Sequence, residues 1–370
     1  MLALDIQQEI VDKFGFVGMK IMKLTDVCDF QGGSQPPKDE WSFEKQEGYI
    51  RMLQIRDFTQ SERVTPEYIK ICNSTKLCDE DDILIARYGA SLGKILTGLA
   101  GAYNVAIMRT IPDTSKVKKR YLYYYLKSNY FQNAILNVGS RAAQAGFNKE
   151  DLSKLEISCP SLSEQDEIIN VLYKVEAIVE MRKQELIHLD ELIKARFVEL
   201  FGDPIRNTQN RPITDFINVV KMQRGFDLPV QDRQQDGVVP VFGSNGALDR
   251  HNVAKVQGGG VITGRSGTIG KVYYTEGDYW PLNTSLFSVD THGNNIIYLA
   301  YLLKMYDLSR FTEGTGVPTL NRNKFHNEPI IDVPLSEQEV FASFVKQVDK
   351  SKFIYRVITI KKHKRLSYCN

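Results

Sequence analysis

Apolar residues recur between Ser163 and Leu200 at alternating three- and four-residue intervals: Ile168, Leu172, Val175, Val179, Leu186, Leu189, Ile193 and Leu200. That spacing is the seam of a coiled-coil helix and predicts one long helix over this stretch. Arg182 and Arg196 fall on seam positions where an apolar residue is due. Ser163 with Asp166 reads as an N-cap with a short-armed capping box, and Gly202 followed by Pro204 supplies the stop. At 1.5 Å per residue the helix is a rod of roughly 55 Å. A second stripe, Phe341, Val345, Val348 and Tyr355, predicts another helix from Ser336 to about Leu366, interrupted by Lys352, Thr359 and Lys362. Such a helix is marginal alone. Packed along the first rod, in either direction, it need not stand alone.

The remaining segments read as mixed α/β. Asp82-Ile83-Leu84-Ile85 and Gly260-Val261-Ile262-Thr263 are short β-type runs broken by glycines. Aromatic-rich amphipathic helices are predicted at Tyr121–Phe131 and Ile297–Tyr306. Residues 31–48 and 231–237 are polar loops rich in Gly, Pro and Gln.

These patterns occur twice. Ser161–Ile168 (SLSEQDEI) returns as Pro334–Val340 (PLSEQEV), with Ser163 matching Ser336 at a spacing of 173. Upstream, Phe147-Asn148 matches Leu320-Asn321 and Leu152 matches Phe325 at that offset. Tyr121-Leu122 matches Tyr298-Leu299, and Arg87–Lys94 (RYGASLGK) matches Arg265–Lys271 (RSGTIGK), at 177–178. A repeat this long exceeds a solenoid unit and implies two copies of a whole domain. The organisation is domain one at 1–160, a rod at 161–203, domain two at 204–334 and a distal rod at 335–370. Leu4–Ile10 resembles Leu162–Ile168, a fragment of a third copy within an N-terminal extension, residues 1–18.

Composition places the 370-residue chain among ordinary globular proteins, at 42% hydrophobic and 25% charged. No apolar run approaches the roughly 20 residues of a membrane span. Early acids, Asp5 and Glu9, argue against a secretory signal. Five cysteines without a CxxC pair fit reduced thiols in a cytoplasmic protein. The net charge of +2 hides a contrast. The two domains are near neutral, whereas residues 161–203 carry 5 Lys/Arg against 10 Asp/Glu and residues 335–370 carry 8 against 3. Blanket-basic nucleic-acid binding is thereby excluded, and opposite charge favours pairing of the rods.

Catalytic motifs are missing from the sequence. The glycine string at 258–271 ends in Gly270-Lys271, but a phosphate-cradling P-loop needs glycine where Arg265 stands and Ser/Thr where Val272 stands. It reads instead as a β-hairpin with glycine turns. No G-x-G-x-x-G follows a strand, and Gln35-Pro36-Pro37-Lys38 is not the tetrapeptide of an amino-methyltransferase. The five histidines lack metal spacing, and no Ser/His/Asp or Cys/His set recurs in both copies.

Polar and basic residues do recur on glycine-flanked turns. Arg87, Tyr88 and Lys94 correspond to Arg265, Ser266 and Lys271. Arg141 and Asn148 correspond to Thr315 and Asn321, with Arg322 adjacent, and Gln54 and Arg56 occupy the place of Ser244 and Asn245. Such side chains on short rigid turns read base edges or hold phosphates.

SLSEQDEI opening a rod that ends LDELIKARFVELFGDP, with PLSEQEV opening a second, resembles the specificity subunit of type I restriction-modification systems, the HsdS family. The resemblance spans nearly the whole chain. It implies a mixed α+β fold with two target-recognition domains, joined by two long conserved helices packed as a coiled-coil spacer. Each domain would read one half of a bipartite double-stranded DNA target, and the helices would set the spacer and dock two methyltransferase (M) subunits. Restriction/translocase (R) subunits would complete the enzyme. The chain itself would be non-catalytic, with S-adenosylmethionine, ATP and magnesium on the partners and no membrane association. The extension to Gly18 and the weakly apolar distal rod depart from the family pattern. The rival reading is a non-DNA scaffold with two α/β binding domains on a rod.

Overall fold

A computed structural model describes residues 20–139, 146–314 and 318–367. The N-terminal extension with Leu4–Ile10, Arg141, Thr315 and Cys369 lie outside the described residues, as do the side chains of Tyr355, Thr359 and Lys362. The chain forms two compact units, dividing between Met181 and Arg182, inside the first rod.

Each unit is built on the same strand plan. Lys20–Lys23 pairs antiparallel with Glu156–Cys159, and in the second unit Ile213–Asp215 pairs likewise with Pro329–Ile331. One helical turn follows, Leu24–Val27 or Phe216–Val219. A four-stranded sheet comes next. Its order is Cys28–Gly32, Ile107–Pro112, Leu84–Ala86, Ile95–Leu96 in the first unit. In the second it is Lys221–Arg224, Ser285–Asp290, Gly260–Gly264, Val272–Thr275. Residues 258–271 are therefore largely a strand and turn of a hairpin, as their glycines predict.

The units diverge in the neighbouring sheet. Both keep a parallel pair, Tyr49–Leu53 with Gly101–Tyr103 and Val239–Gly243 with Trp280–Pro281. Around it the first unit builds five strands and the second only three. The shared sheet is covered on both faces, so Leu84–Ala86 and Gly260–Gly264 are buried along their whole length. The polar loops attach to the sheet that differs.

The aromatic helix is continuous in the second unit, Ile296–Tyr306, but not in the first. There Ser128 takes an extended conformation (ψ 152°) and ends a helix over Lys119–Lys127. Its Oγ accepts from the Phe131 N–H at 3.3 Å, opening a new helix at Asn129–Gly139. The single helix expected over Tyr121–Phe131 is thus two, because a serine side chain competes with the ladder.

The first rod spans Leu162–Phe201 and the second Leu335–Ser367. The cap of the first is Ser161 rather than Ser163. Its N–H and Oγ donate to Glu164 at 2.8 and 2.6 Å, and the Glu164 N–H donates back at 3.3 Å. The capping box sits two residues early because Glu164, with the longer arm, reaches back where Asp166 does not. Asp166 instead pairs with Lys118. Gly202 ends the rod with φ +75°.

Within the first unit, Ile168 and Leu172 of the rod are buried against a core containing Tyr121, Leu122 and Tyr125. Within the second, Ile193, Phe197 and Phe201 are fully buried. Phe341 of the distal rod lies 5.4 Å from Phe197 and 5.7 Å from Phe201, ring to ring, and Tyr301 is 5.5 Å from it. Asp190 meets Lys352 at 2.6 Å. Descending residue number on one rod therefore meets ascending number on the other, so they pack antiparallel. The seam here runs through Phe197, while Arg196 lies beside it against the Phe344 ring. A four-residue step replaces the heptad because this end of the rod packs on the aromatic helix as well as on its partner rod. Each buried aromatic contributes roughly 1.5–3 kcal/mol.

The repeated SEQ tripeptide has a physical cause. Gln165 and Gln338 are buried, at 0% and 1% exposure. Gln165 accepts from the Lys118 N–H at 2.8 Å and donates to the Lys116 and Pro160 carbonyls, both 2.9 Å. Gln338 accepts from the Asn295 N–H at 2.8 Å and donates to Val333 O at 2.7 Å and Asn294 Oδ1 at 2.6 Å. In each unit one amide ties the rod's first turn to the start of the aromatic helix.

Candidate nucleic-acid interface

Arg87 and Arg265 follow directly on the equivalent strands Leu84–Ala86 and Gly260–Gly264. Their N–H groups donate to the carbonyls of Ala106 (2.8 Å) and Thr284 (2.9 Å). The Nη1 of each reaches the turn before the neighbouring strand, Arg87 to Val105 O at 3.4 Å and Arg265 to Asn283 O at 3.5 Å. The residue after each arginine forms an isolated bridge, Tyr88 with Gly146 and Ser266 with Thr319. Both turns are therefore held at two points. Gly89 and Gly267 take φ of +70° and +81°, a region that disfavours side chains. In the first unit the Tyr88 ring carries the Arg87 guanidinium 5.1 Å from its centroid.

Asn148 and Asn321 cap short helices. Asn148 accepts from the Asp151 N–H at 3.0 Å while Asp151 accepts from the Asn148 N–H, also at 3.0 Å. Asn321 accepts from the Asn323 N–H at 3.1 Å and donates to Glu313 at 3.2 Å. Arg322 follows Asn321 as Lys149 follows Asn148. Lys149 is paired with Asp29, whereas Arg322 has no acidic partner among the described residues.

Gln54 and Arg56 lie just beyond Tyr49–Leu53, as Ser244 and Asn245 lie just beyond Val239–Gly243, both strands being members of the parallel pairs. The chemistry differs. Gln54 donates to Glu67 at 2.6 Å, Arg56 pairs with the same carboxylate, and Lys38 approaches it at 3.3 Å. Asn245 accepts from Lys271 at 3.1 Å, and Ser244 lies alongside Gly267. So Ser244, Asn245 and Lys271 are brought together in the second unit. Gln54 and Arg56 are gathered around a nearly buried acid in the first. Lys94 is exposed on its turn, with no bonded side-chain partner among the described residues.

Arg265, Asn321 and Arg322 converge further. With Arg224 and Glu313 they line a cavity of about 350 Å³. A neighbouring cavity of about 560 Å³ is walled by Gln223, Arg224, Phe226, Asp227 and Arg322. Asn321 and Lys324 hold the Glu313 carboxyl below its ordinary range, so the acid stays ionised and paired. Asp227 is bonded by the Asn283 amide. Arg224 was not among the residues the sequence singled out. It pairs with Leu286 as Gly32 pairs with Met108, which aligns Gln223-Arg224-Gly225 with Gln31-Gly32-Gly33 at an offset of 192. The flanking Gln and Gly are shared by the two copies, but Gly32 stands where Arg224 does, so likeness between the copies marks the site and not the arginine.

Among the described residues no group of three or more His, Cys, Asp or Glu is placed to hold a metal ion. No helix among them is long and apolar enough to cross a membrane. Cys28, Cys72, Cys78 and Cys159 are free thiols.

A family model described as the type I restriction modification DNA specificity domain matches residues 17–191 and again 206–361. In fold the chain is similar to the S subunit of a type I restriction-modification system from M. genitalium, at 14% identity and a TM-score of 0.52. That alignment covers 95% of both chains. It is similar also to a chain solved in work on complex assembly and conformational transition of the type I R-M system, at 15% identity and a TM-score of 0.51, again with 95% of both chains covered.

Proposed function

The chain belongs to the type I restriction-modification DNA specificity family, both units carrying the specificity domain, and we propose that each unit reads one half of a bipartite DNA target. Membership of the family implies DNA target recognition. The two-half reading rests on one observation: the hydrogen-bonded frame of the turns is the same in both units, while the residues presented on it differ. The bridges Tyr88–Gly146 and Ser266–Thr319 are the clearest instance. A frame repeated with changed loops suits two readers of dissimilar half-sites.

In this reading the candidate contacts are Gln54, Arg56, Arg87, Tyr88, Lys94, Arg141 and Asn148 in one unit. In the other they are Ser244, Asn245, Arg265, Ser266, Lys271, Asn321 and Arg322. The paired rods set the gap between half-sites and dock two methyltransferase subunits, and restriction/translocase subunits join that complex in the cytoplasm. S-adenosylmethionine, ATP and magnesium act on those partners, and this subunit performs no chemistry of its own. A 40-residue helix is about 60 Å long, ample for half-sites one DNA turn, about 34–36 Å, apart.

The test is co-expression with the cognate methyltransferase subunit, followed by methylome sequencing. A bipartite motif with adenine methylation is expected. An unmethylated genome in the presence of an active partner would sink the reading.

A further inference from the structure

We propose that the second unit carries a three-arginine clamp for DNA backbone phosphates, formed by Arg224, Arg265 and Arg322, which the first unit lacks. The inference rests on the DNA-binding reading above and adds that the two units grip DNA unequally.

The three arginines come from three separated segments and together line one cavity, and Arg224 and Arg322 also line a second. Neither of those two has an acidic partner among the described residues. Among the described residues the Arg265 side chain makes one long hydrogen bond, 3.5 Å, to a carbonyl. Of the acids nearby, Glu313 is paired with Lys324 at 3.1 Å and bonded by Asn321, while Asp227, bonded by the neutral Asn283 amide, keeps its charge and is outnumbered by the three arginines. The groove is therefore electropositive and open to acceptors. Of the side chains lining it, only Leu286 and Leu320 are hydrophobic, and Asn321 and Asn323 stand beside the arginines, so the donors and charges there favour a polar ligand. An anion rich in oxygen acceptors does suit it, because each guanidinium offers a planar fork of donors.

The corresponding positions in the first unit are Gly32, Arg87 and Lys149. Arg87 keeps its backbone and carbonyl bonds, but Lys149 is paired with Asp29. At Gly32 a Cβ would come within 3.2 Å of the Arg87 Nη1. Among the described residues, one cation at these positions is without an acidic partner, against three in the second unit.

The experiment uses the full chain and a random-sequence 40-base-pair duplex, with affinity measured by anisotropy from 50 to 250 mM KCl. Each phosphate contact contributes about 0.9 to the slope of log K against log salt. The variant Arg224→Ala/Arg265→Ala/Arg322→Ala is expected to lower that slope by about 2–3. Arg87→Ala/Lys149→Ala in the first unit should lower it by about 1. The single variant Arg224→Lys keeps a point charge and should retain nearly the wild-type slope, which also guards against a folding defect in the triple variant. Equal slope changes from the two units would overturn the clamp while leaving DNA binding intact. So would an unchanged slope accompanied by altered sequence preference, the signature of arginines reading guanine edges. Absence of wild-type binding to any duplex would overturn both this inference and the function it rests on.

Discussion

Gln165 and Gln338 are the residues on which the repeated motif turns. Each is buried, and each bonds a backbone N–H and a backbone carbonyl. Replacing Gln338 by Leu keeps the volume but strands the Asn295 N–H and the Val333 carbonyl. The expected loss of stability is about 2–4 kcal/mol, since each buried unsatisfied group costs about 1–3, and chemical denaturation of the variant measures it. A second residue-level device is His326, nearly buried, whose Nε2 accepts from the Met222 N–H at 3.2 Å. Burial, followed by the charges of Arg322 and Lys221, lowers its pKa below the ordinary 6.5. A lowered histidine binds protons better when unfolded, so its penalty appears as pH falls. Stability is expected to be full above about pH 6.5 and to drop as pH descends through the folded-state pKa. His326→Gln should flatten that part of the pH–stability curve; an equally steep curve in the variant would remove His326 as the cause.

At the scale of elements, apolar spacing foretold both rods, because burial of a stripe is a local property of sequence, and Gly202 marked the stop of the first. It misplaced what depends on neighbours. Ser163 is a sound cap by type, yet Ser161 caps because Glu164 can fold back to it. Arg196 holds the heptad position, yet Phe197 takes the core because the aromatic helix supplies a second packing surface. The interruption at Lys352 also has a cause: its ammonium lies 2.6 Å from Asp190 and 3.1 Å from Asp349. The lysine is nearly buried while Asp190 is largely in water, so the pair is asymmetric. Lys352→Met removes the buried charge, leaves Asp190 hydrated, and should match or exceed wild-type stability, as apolar replacements of buried ions often do. Asp190→Ala removes the partner and should cost about 1 kcal/mol, limited by its solvent screening. Paired denaturation curves of the two variants decide this; a large loss in Lys352→Met would mean the charge itself holds the rods together.

For the whole molecule, the repeated frame was readable and the grouping of side chains upon it only in part. Turn glycines and capping asparagines declared themselves through repetition, whereas Arg224 escaped because its counterpart is Gly32 and a repeat search rewards likeness. Gln54 and Arg56 were readable as polar turn residues, but their gathering around Glu67 depends on a strand pairing across the sheet. The repeated frame also makes the first unit exchangeable. Lys20–Lys23 pairs along its length with Glu156–Cys159, so a segment of residues 19–158 leaves and re-enters the chain at adjacent strands. Replacing it with the corresponding segment of another family member keeps that pairing and leaves both rods untouched. The chimera, co-expressed with the methyltransferase subunit, should methylate a motif altered in one half only, with the spacer unchanged. Alteration of both halves would mean that the loops of one unit shape the reading of the other, and a changed spacer would mean that the gap is set by the recognition domains rather than by the rods.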